Sequence, residues 1–238
     1  MRLEDIKRES LADRLVGADG GVTELLPGEI SGVTVRAFEL SEGSTYTELP
    51  KNGATVIIVC RGGVVINGIL CDGRGLFAFA EETQIDLKAT KSSLLLYISF
   101  LASPPRKTSP SPYFIRYDDA VCYKEDCKSE KTVSRMLLPE GLIQNLAIGS
   151  VETSGPDAVA AHEHPFCDQL FFSFEENKMN VEIEDLSVPM EGNVLLHIPL
   201  GSSHGVDVPK SGYAHYLWID FIVDSRGIEY MKTAHKTI

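Results

Sequence analysis

Short apolar runs separated by turn residues constrain the fold of this 238-residue chain more than any other feature. In residues 21–101, runs rich in β-branched and aromatic residues alternate with glycine clusters. Such runs are typical of strands in a sandwich or barrel. The second half shows the same pattern of short apolar runs and turn residues, so we predict an all-β fold with a few short helices. The predicted strands are 33–38, 55–60, 63–67, 75–79, 85–87, 94–100, 141–150, 158–163, 169–174, 179–184, 193–198 and 215–223.

A proline-rich segment separates the two halves. Residues 102–112 contain four prolines, which supply no backbone donor and favour extended chain. We predict a linker here, between an N-terminal barrel over 1–101 and a C-terminal barrel over 113–238. A weak repeat of about 120 residues agrees with duplicated domains, and a long loop within one domain is the alternative.

The N-terminus and the overall composition narrow the class of protein. Apolar residues recur at near-helical spacing in the first 20 residues, which predicts a short helix. The same stretch lacks the apolar centre of a secretory signal. The formal net charge of −12 disfavours nucleic-acid binding, because phosphate contact needs a cationic face. No apolar run reaches the length of a membrane span. Five irregularly spaced cysteines favour reduced thiols and a cytoplasmic protein.

All six histidines lie at position 162 or later. His162 and His164 are two residues apart, which places both side chains on one side of a strand. His204 follows a turn marked by proline and glycine, and Gln169 offers a side-chain oxygen. Three imidazoles and one oxygen can converge on a single divalent transition metal. We therefore predict a metal site formed by His162, His164, Gln169 and His204.

The two histidine segments resemble the paired motifs of the cupin superfamily. The matching patterns are His162-x-His164-x4-Gln169 and Gly192-x6-Pro199-x-Gly201-x2-His204. The resemblance implies a bicupin, with two double-stranded β-helix (jelly-roll) barrels and the metal motif only in the C-terminal one. The sequence departs from the family chiefly at Gln169, where most metal-binding cupins have glutamate.

Two other positions are candidates for roles in this site. Asp168 is the alternative fourth ligand, although strand alternation places it on the other face from Gln169. His197 is a candidate catalytic proton carrier if it faces the cavity, and otherwise a buried core residue. The first half has no histidine, so a metal there would need the carboxylates of Glu48, Glu81 and Glu82.

The glutamine shapes the expected chemistry. A neutral amide in place of a carboxylate raises the net charge of a divalent site from about +1 to +2, which strengthens the metal as a Lewis acid and disfavours its oxidation. Gln169 also resembles the ligand of small single-domain cupins that convert cyclic unsaturated uronates to the linear keto form. We predict non-redox isomerase, lyase or hydrolase chemistry on a small organic acid or sugar derivative.

The sequence leaves the metal, the substrate and two other functions open. Fe, Ni, Zn, Mn and Co all accept three histidines plus an oxygen, and the expected substrate is a small anionic or carbonyl compound. An Fe(II) dioxygenase and a non-catalytic, sugar-acid-binding bicupin are the alternatives. We expect neither nucleic acid nor a membrane as a partner. The barrel without ligands would support the other or form an interface, as in a homodimer.

Overall fold

A computed structural model describes residues 2–11, 21–50, 53–80, 82–101 and 112–234, with the last four as backbone only. The all-β prediction is confirmed: the described residues contain 21 strands, two short 3-10 turns (Leu3–Asp5 and Tyr117–Asp119) and the C-terminal helix α1 (Arg226–Ala234). None of the helices in the described residues is long and apolar enough to cross a membrane.

The first eleven strands are β1 (Arg8–Ser10), β2 (Val22–Leu25), β3 (Val33–Leu40), β4 (Thr45–Glu48), β5 (Ala54–Arg61), β6 (Gly63–Ile66), β7 (Ile69–Asp72), β8 (Gly75–Phe79), β9 (Ile85–Ala89), β10 (Ser93–Phe100) and β11 (Tyr113–Arg116). They are followed by β12 (Val121–Tyr123), β13 (Val133–Leu138), β14 (Leu146–Ser154), β15 (Asp157–His162), β16 (Cys167–Ser173), β17 (Lys178–Ile183), β18 (Leu186–Glu191), β19 (Val194–Ile198), β20 (His204–Val208) and β21 (Tyr213–Ile222).

The chain divides into two compact units. The N-terminal unit comprises Leu11–Ala120 and Glu140–Gln144, and the C-terminal unit comprises Met1–Ser10, Val121–Pro139 and Asn145–Ile238. The predicted ranges were 1–101 and 113–238. Residues 1–10 instead belong to the C-terminal unit, and residues 113–120 and 140–144 belong to the N-terminal unit. All but the last residue of the predicted linker 102–112 lies outside the described residues.

The difference at the N-terminus arises because a segment predicted as helix includes a strand. Strand β1 pairs antiparallel with β19, with Arg8 opposite Leu196. The preceding Ile6 is buried in the core of the C-terminal unit. Strand pairing and burial of this apolar side chain together outweigh the local helical spacing, since tertiary contacts routinely override weak propensity.

The N-terminal unit packs two antiparallel sheets around one core. The larger sheet has the order β11-β8-β5-β10-β3-β2, and the smaller has the order β4-β9-β6-β7. Strand β11 belongs to this unit because it pairs with β8, where the ring of Phe114 stacks on that of Phe77 at 4.5 Å. Alternate residues of both sheets form the apolar core, as expected for strands that bury one face.

A polar network of Arg36, Tyr46 and Glu48 also lies in the N-terminal unit. Arg36 Nη2 and the Tyr46 hydroxyl each donate to Glu48 Oε2 at 2.7 Å. Burial acts to raise the pKa of Glu48, but these hydrogen bonds outweigh it and the pKa is lowered. Nearby, the side chains of Thr55 and Tyr97 are buried, and the Tyr97 hydroxyl also acts to lower the pKa of Glu48.

The C-terminal unit forms one branched antiparallel sheet that folds around a second core. Its main path is β1-β19-β16-β21-β14-β13-β12, while β17 pairs with β18, β20 and β21, and β15 pairs with β20. Inward-facing residues from strands along and off this path form the core. The outer face of β14 and β21 carries a polar group in which Glu152 accepts hydrogen bonds from Arg135 and Tyr213.

Candidate metal centre

The pairing of β15 with β20 brings the two histidine segments together. His162 ends β15 and lies opposite His204, the first residue of β20. His164 lies two residues beyond the end of β15, in the turn before β16. The ring centroids are 5.0 Å apart for His162 and His164, 4.7 Å for His162 and His204, and 5.3 Å for His164 and His204.

A β-bulge turns His162 toward the other two imidazoles. Between Val159 and His162 the pairing with β20 shifts by one residue, because three steps along β15 match two steps along β20. Val159 faces the apolar core, so simple alternation would turn His162 to the opposite face. The bulge requires Gly205, because a Cβ there would lie 2.8 Å from the carbonyl oxygen of Val159.

The three imidazoles present a donor set suited to a metal ion. One ligand atom from each lies within 4.8 Å of the others. His162 Nδ1 is 2.8 Å from the carbonyl oxygen of Ala160, and His204 Nδ1 is 3.1 Å from that of Ser202. Each Nδ1 therefore carries the proton and donates it, which leaves Nε2 as the nitrogen able to bind a metal.

The histidine cluster is largely buried, and solvent reaches it on the side of His162. His164 and His204 are 4% and 2% exposed, whereas His162 is partly exposed. A group of imidazoles with one accessible side fits a divalent transition metal that also binds an external molecule. Among the histidine, cysteine, aspartate and glutamate side chains of the described residues, these three histidines form the group whose ligand atoms are close enough to hold a metal ion.

Gln169 shares the inner face of β16 with a residue that touches the cluster. Phe171, two positions later on the strand, has its ring centroid 5.7 Å from that of His204. Strand alternation therefore points Gln169 toward the same interior. The side chain is 3% exposed, and its Nε2 donates to Asp220 Oδ1 at 2.7 Å. Its role as the fourth ligand stays a prediction.

Asp220 is a buried carboxylate beside Gln169 that the sequence reasoning did not single out. It lies on β21 directly opposite Gln169 and is 2% exposed. A signal was available, because Asp220 interrupts an apolar strand at the same parity as Tyr216 and Trp218, which pack on the core. A charged residue at an inward position of such a strand indicates a functional role or a specific partner.

His197 does not face the imidazole cluster. It pairs with Leu170, the neighbour of Gln169, so its side chain emerges on the opposite face of the sheet. There its Nε2 lies 2.9 Å from Asp168 Oδ1. The prediction of His197 as a cavity-facing catalytic residue is corrected by this placement. Because Asp168 contacts His197 on that opposite face, it is not placed to be the alternative ligand.

The turn carrying His164 is held by the C-terminal helix. Phe166 packs edge-on against Tyr230 with ring centroids 6.2 Å apart, and the guanidinium of Arg226 lies 4.7 Å from the Phe166 ring. The Tyr230 hydroxyl donates to the carbonyl oxygen of Glu163 at 3.2 Å. Helix α1 therefore restrains the backbone on either side of His164.

Aromatic and paired charged side chains surround the inner face. Phe171 and Tyr216 pack with ring centroids 4.9 Å apart, and burial raises the pKa of Tyr216 so that its phenol stays neutral. Lys128 and Glu125 form a buried ion pair in the segment that joins β12 to β13. This segment contacts β15 through a hydrogen bond from the amide of Ala160 to the carbonyl of Cys127.

Of the first-half carboxylates considered as an alternative site, the two that the structure describes, Glu48 and Glu82, do not form a metal-binding group. Glu48 is engaged by Arg36 and Tyr46 in the polar network. Glu81 lies outside the described residues. Glu82 is not part of any metal-binding group among the residues that the structure describes.

Solved structures share this architecture at low sequence identity. A cupin 2 conserved barrel domain protein from Leptotrichia buccalis has a TM-score of 0.62 and 12% identity, over 91% of this chain and 96% of that one. An IolB-like protein from Salmonella typhimurium has a TM-score of 0.70 and 13% identity, over 87% and 90%. Oxalate decarboxylase from Lactobacillus farciminis, solved as a formate complex, has a TM-score of 0.71 and 13% identity, over 91% and 86%.

These structural similarities confirm the resemblance stated from the motifs at the level of fold. The chain has the cupin fold. No protein-family model matches the sequence, and no curated protein matches it. The chemistry of the centre therefore rests on its own residues.

Proposed function

We propose that the C-terminal unit binds a divalent transition metal through His162, His164, His204 and Gln169, and that the protein is an enzyme of non-redox chemistry. The observation that carries this proposal is the cluster of three imidazoles with ligand atoms within 4.8 Å of one another. The orientation of two of these rings by backbone carbonyls supports it, since metal-binding histidines usually donate their second nitrogen in this way.

The proposed ligand set favours polarisation of a substrate over electron transfer. A bound divalent ion would act as a Lewis acid on a substrate oxygen. The chain supplies four neutral donors, which leave the positive charge of the ion undiminished within the ligand set. The carboxylate of Asp220 accepts a hydrogen bond from Gln169. It is not one of the side chains grouped to hold a metal ion.

A small organic acid or sugar derivative is the substrate class that we propose. An anionic or carbonyl oxygen matches an exposed metal position beside His162, the partly exposed imidazole. Phe171 and Tyr216 supply the apolar wall that small-molecule sites generally need. A similar fold in an oxalate decarboxylase solved with formate is consistent with a small carboxylate as ligand, although the shared identity of 13% supports the fold alone.

Metal analysis provides the first test. Purified wild-type protein should contain about one equivalent of divalent metal, and a His162→Ala/His204→Ala double variant should contain little, because two of three imidazole donors are lost. His215→Gln is a matched control, since His215 is buried in the same unit but pairs with Glu176 at 2.5 Å. Equal and near-zero metal in all three proteins would contradict the proposed site.

Activity assays with and without oxygen distinguish the candidate reactions. Metal-reconstituted protein should consume a member of a panel of oxalate, small keto acids, hydroxy acids and unsaturated uronates without oxygen. Substrate loss that requires oxygen and consumes it would instead identify an Fe(II) dioxygenase. Binding of a sugar acid that survives long incubation would identify a binding protein without catalysis.

A further inference from the structure

We propose that Asp220 is a positioning residue that fixes which end of the Gln169 amide faces the imidazole cluster. The inference rests on the proposed function, because it concerns Gln169 as a metal ligand. It starts from the hydrogen bond that Gln169 Nε2 donates to Asp220 Oδ1 at 2.7 Å, between two side chains that are 3% and 2% exposed.

The need for such a residue follows from the chemistry of an amide. A carboxylate presents the same oxygen whichever way it is rotated, whereas an amide has one end that can bind a metal and one that cannot. Rotation of the Gln169 amide by 180° would offer the metal an NH₂ group. A glutamine ligand therefore needs a neighbour that distinguishes its nitrogen from its oxygen.

Asp220 makes that distinction as a hydrogen-bond acceptor. Its Oδ1 accepts from Gln169 Nε2, and an oxygen in the accepting role pairs with the NH₂ end of the amide and not with the carbonyl end, which has no proton to donate. In a buried site this preference is strong, because an acceptor facing an acceptor is costly at low dielectric. With Nε2 held at Asp220, Oε1 is the end available to the cluster.

The register of the sheet holds the two residues together. Gln169 and Asp220 are directly opposed on β16 and β21, and directly opposed residues project to the same face of an antiparallel pair. That face carries Phe171, which contacts His204. Neither partner can move away without disturbing the central strands of the unit.

Four proteins test the inference with Co(II) as the probe: wild type, Asp220→Leu, Gln169→Glu and the Gln169→Glu/Asp220→Asn double variant. The readouts are the Co(II) dissociation constant and the visible absorption spectrum of the bound ion. Asp220→Leu keeps the branching of the side chain but removes the acceptor, so Co(II) affinity should fall by about 10- to 100-fold, as is usual for groups that orient metal ligands. Its spectrum should change as well.

The double variant reverses the direction of the hydrogen bond. In Gln169→Glu, the introduced carboxylate meets a second carboxylate. In the double variant, the introduced asparagine can donate to the introduced glutamate, so the double variant should bind Co(II) more tightly than Gln169→Glu alone. This comparison remains informative if Asp220→Leu fails to fold, which thermal unfolding of the metal-free proteins would reveal.

The outcomes separate this inference from the function on which it rests. Wild-type affinity and an unchanged spectrum in Asp220→Leu would overturn the positioning role while leaving the metal site intact. A double variant that binds no more tightly than Gln169→Glu would also overturn it. A wild-type protein that binds no Co(II) would contradict the proposed function itself, and this inference with it.

Discussion

Two buried imidazoles of the C-terminal unit should respond in opposite ways to substitution. His197 and His204 are 7% and 2% exposed, but they lie on opposite faces of the sheet. We expect His197→Ala to lower stability and leave metal binding intact, and His204→Ala to abolish metal binding. The comparison tests the assignment of faces, because both substitutions remove the same group from a similar degree of burial.

The magnitudes follow from the partners of each ring. His197→Ala removes the 2.9 Å contact with Asp168, whose carboxylate is 21% exposed and can regain water, so we expect a loss of about 1–2 kcal/mol. In a protein of this size that corresponds to a decrease in Tm of about 2–8 °C. The backbone hydrogen bond from His197 to Lys7 is unaffected by the substitution.

Thermal unfolding with and without metal is the assay. Free metal at about 100 times its Kd should stabilise wild type and His197→Ala alike by about 2.7 kcal/mol, and His204→Ala by nearly nothing. Circular dichroism of the metal-free proteins serves as the folding control. Loss of the metal-induced stabilisation in His197→Ala, or its retention in His204→Ala, would refute the placement of these two side chains.

Three further predictions concern other parts of the chain. Tyr46→Phe should cost about 1 kcal/mol because it removes a hydrogen bond of the polar network; urea unfolding measures the loss. Burial acts to raise the pKa of Glu152, but its hydrogen bonds outweigh this and lower the pKa below the usual 4.5. Its contribution to stability is therefore fully present above pH 4.5 and is lost as the pH falls through the folded value, so the stability gap between wild type and Glu152→Gln should narrow in acid. Gly205→Ala would place a methyl group 2.8 Å from the carbonyl oxygen of Val159, so it should destabilise the unit by about 1–3 kcal/mol and weaken metal binding; a mutant with wild-type metal affinity would show that the bulge does not orient the cluster.

The local sequence predicted many of the strands, because burying one or both faces of a sheet produces a recognisable order of apolar residues along each strand. The run 56–60 is apolar throughout and lies within the buried strand β5, and the alternation in 85–89 is that of β9, with one face buried and one exposed. Strand β1 was not predicted, because its sequence lacks such an order of apolar residues. A three-residue edge strand carries little pattern of its own, and its identity comes from pairing with β19.

For the candidate centre, the amino-acid sequence by itself determined the donor types and the spacing that brings three histidines and a glutamine into two short segments. Tertiary structure decided which side chains face one another. The bulge before His162 reverses the simple alternation along β15, the register of β16 against β19 turns His197 to the opposite face, and the register of β16 against β21 places Asp220 beside Gln169. The physical reason is that a one-residue change in register exchanges the two faces of a strand, and register is set by partners distant in sequence.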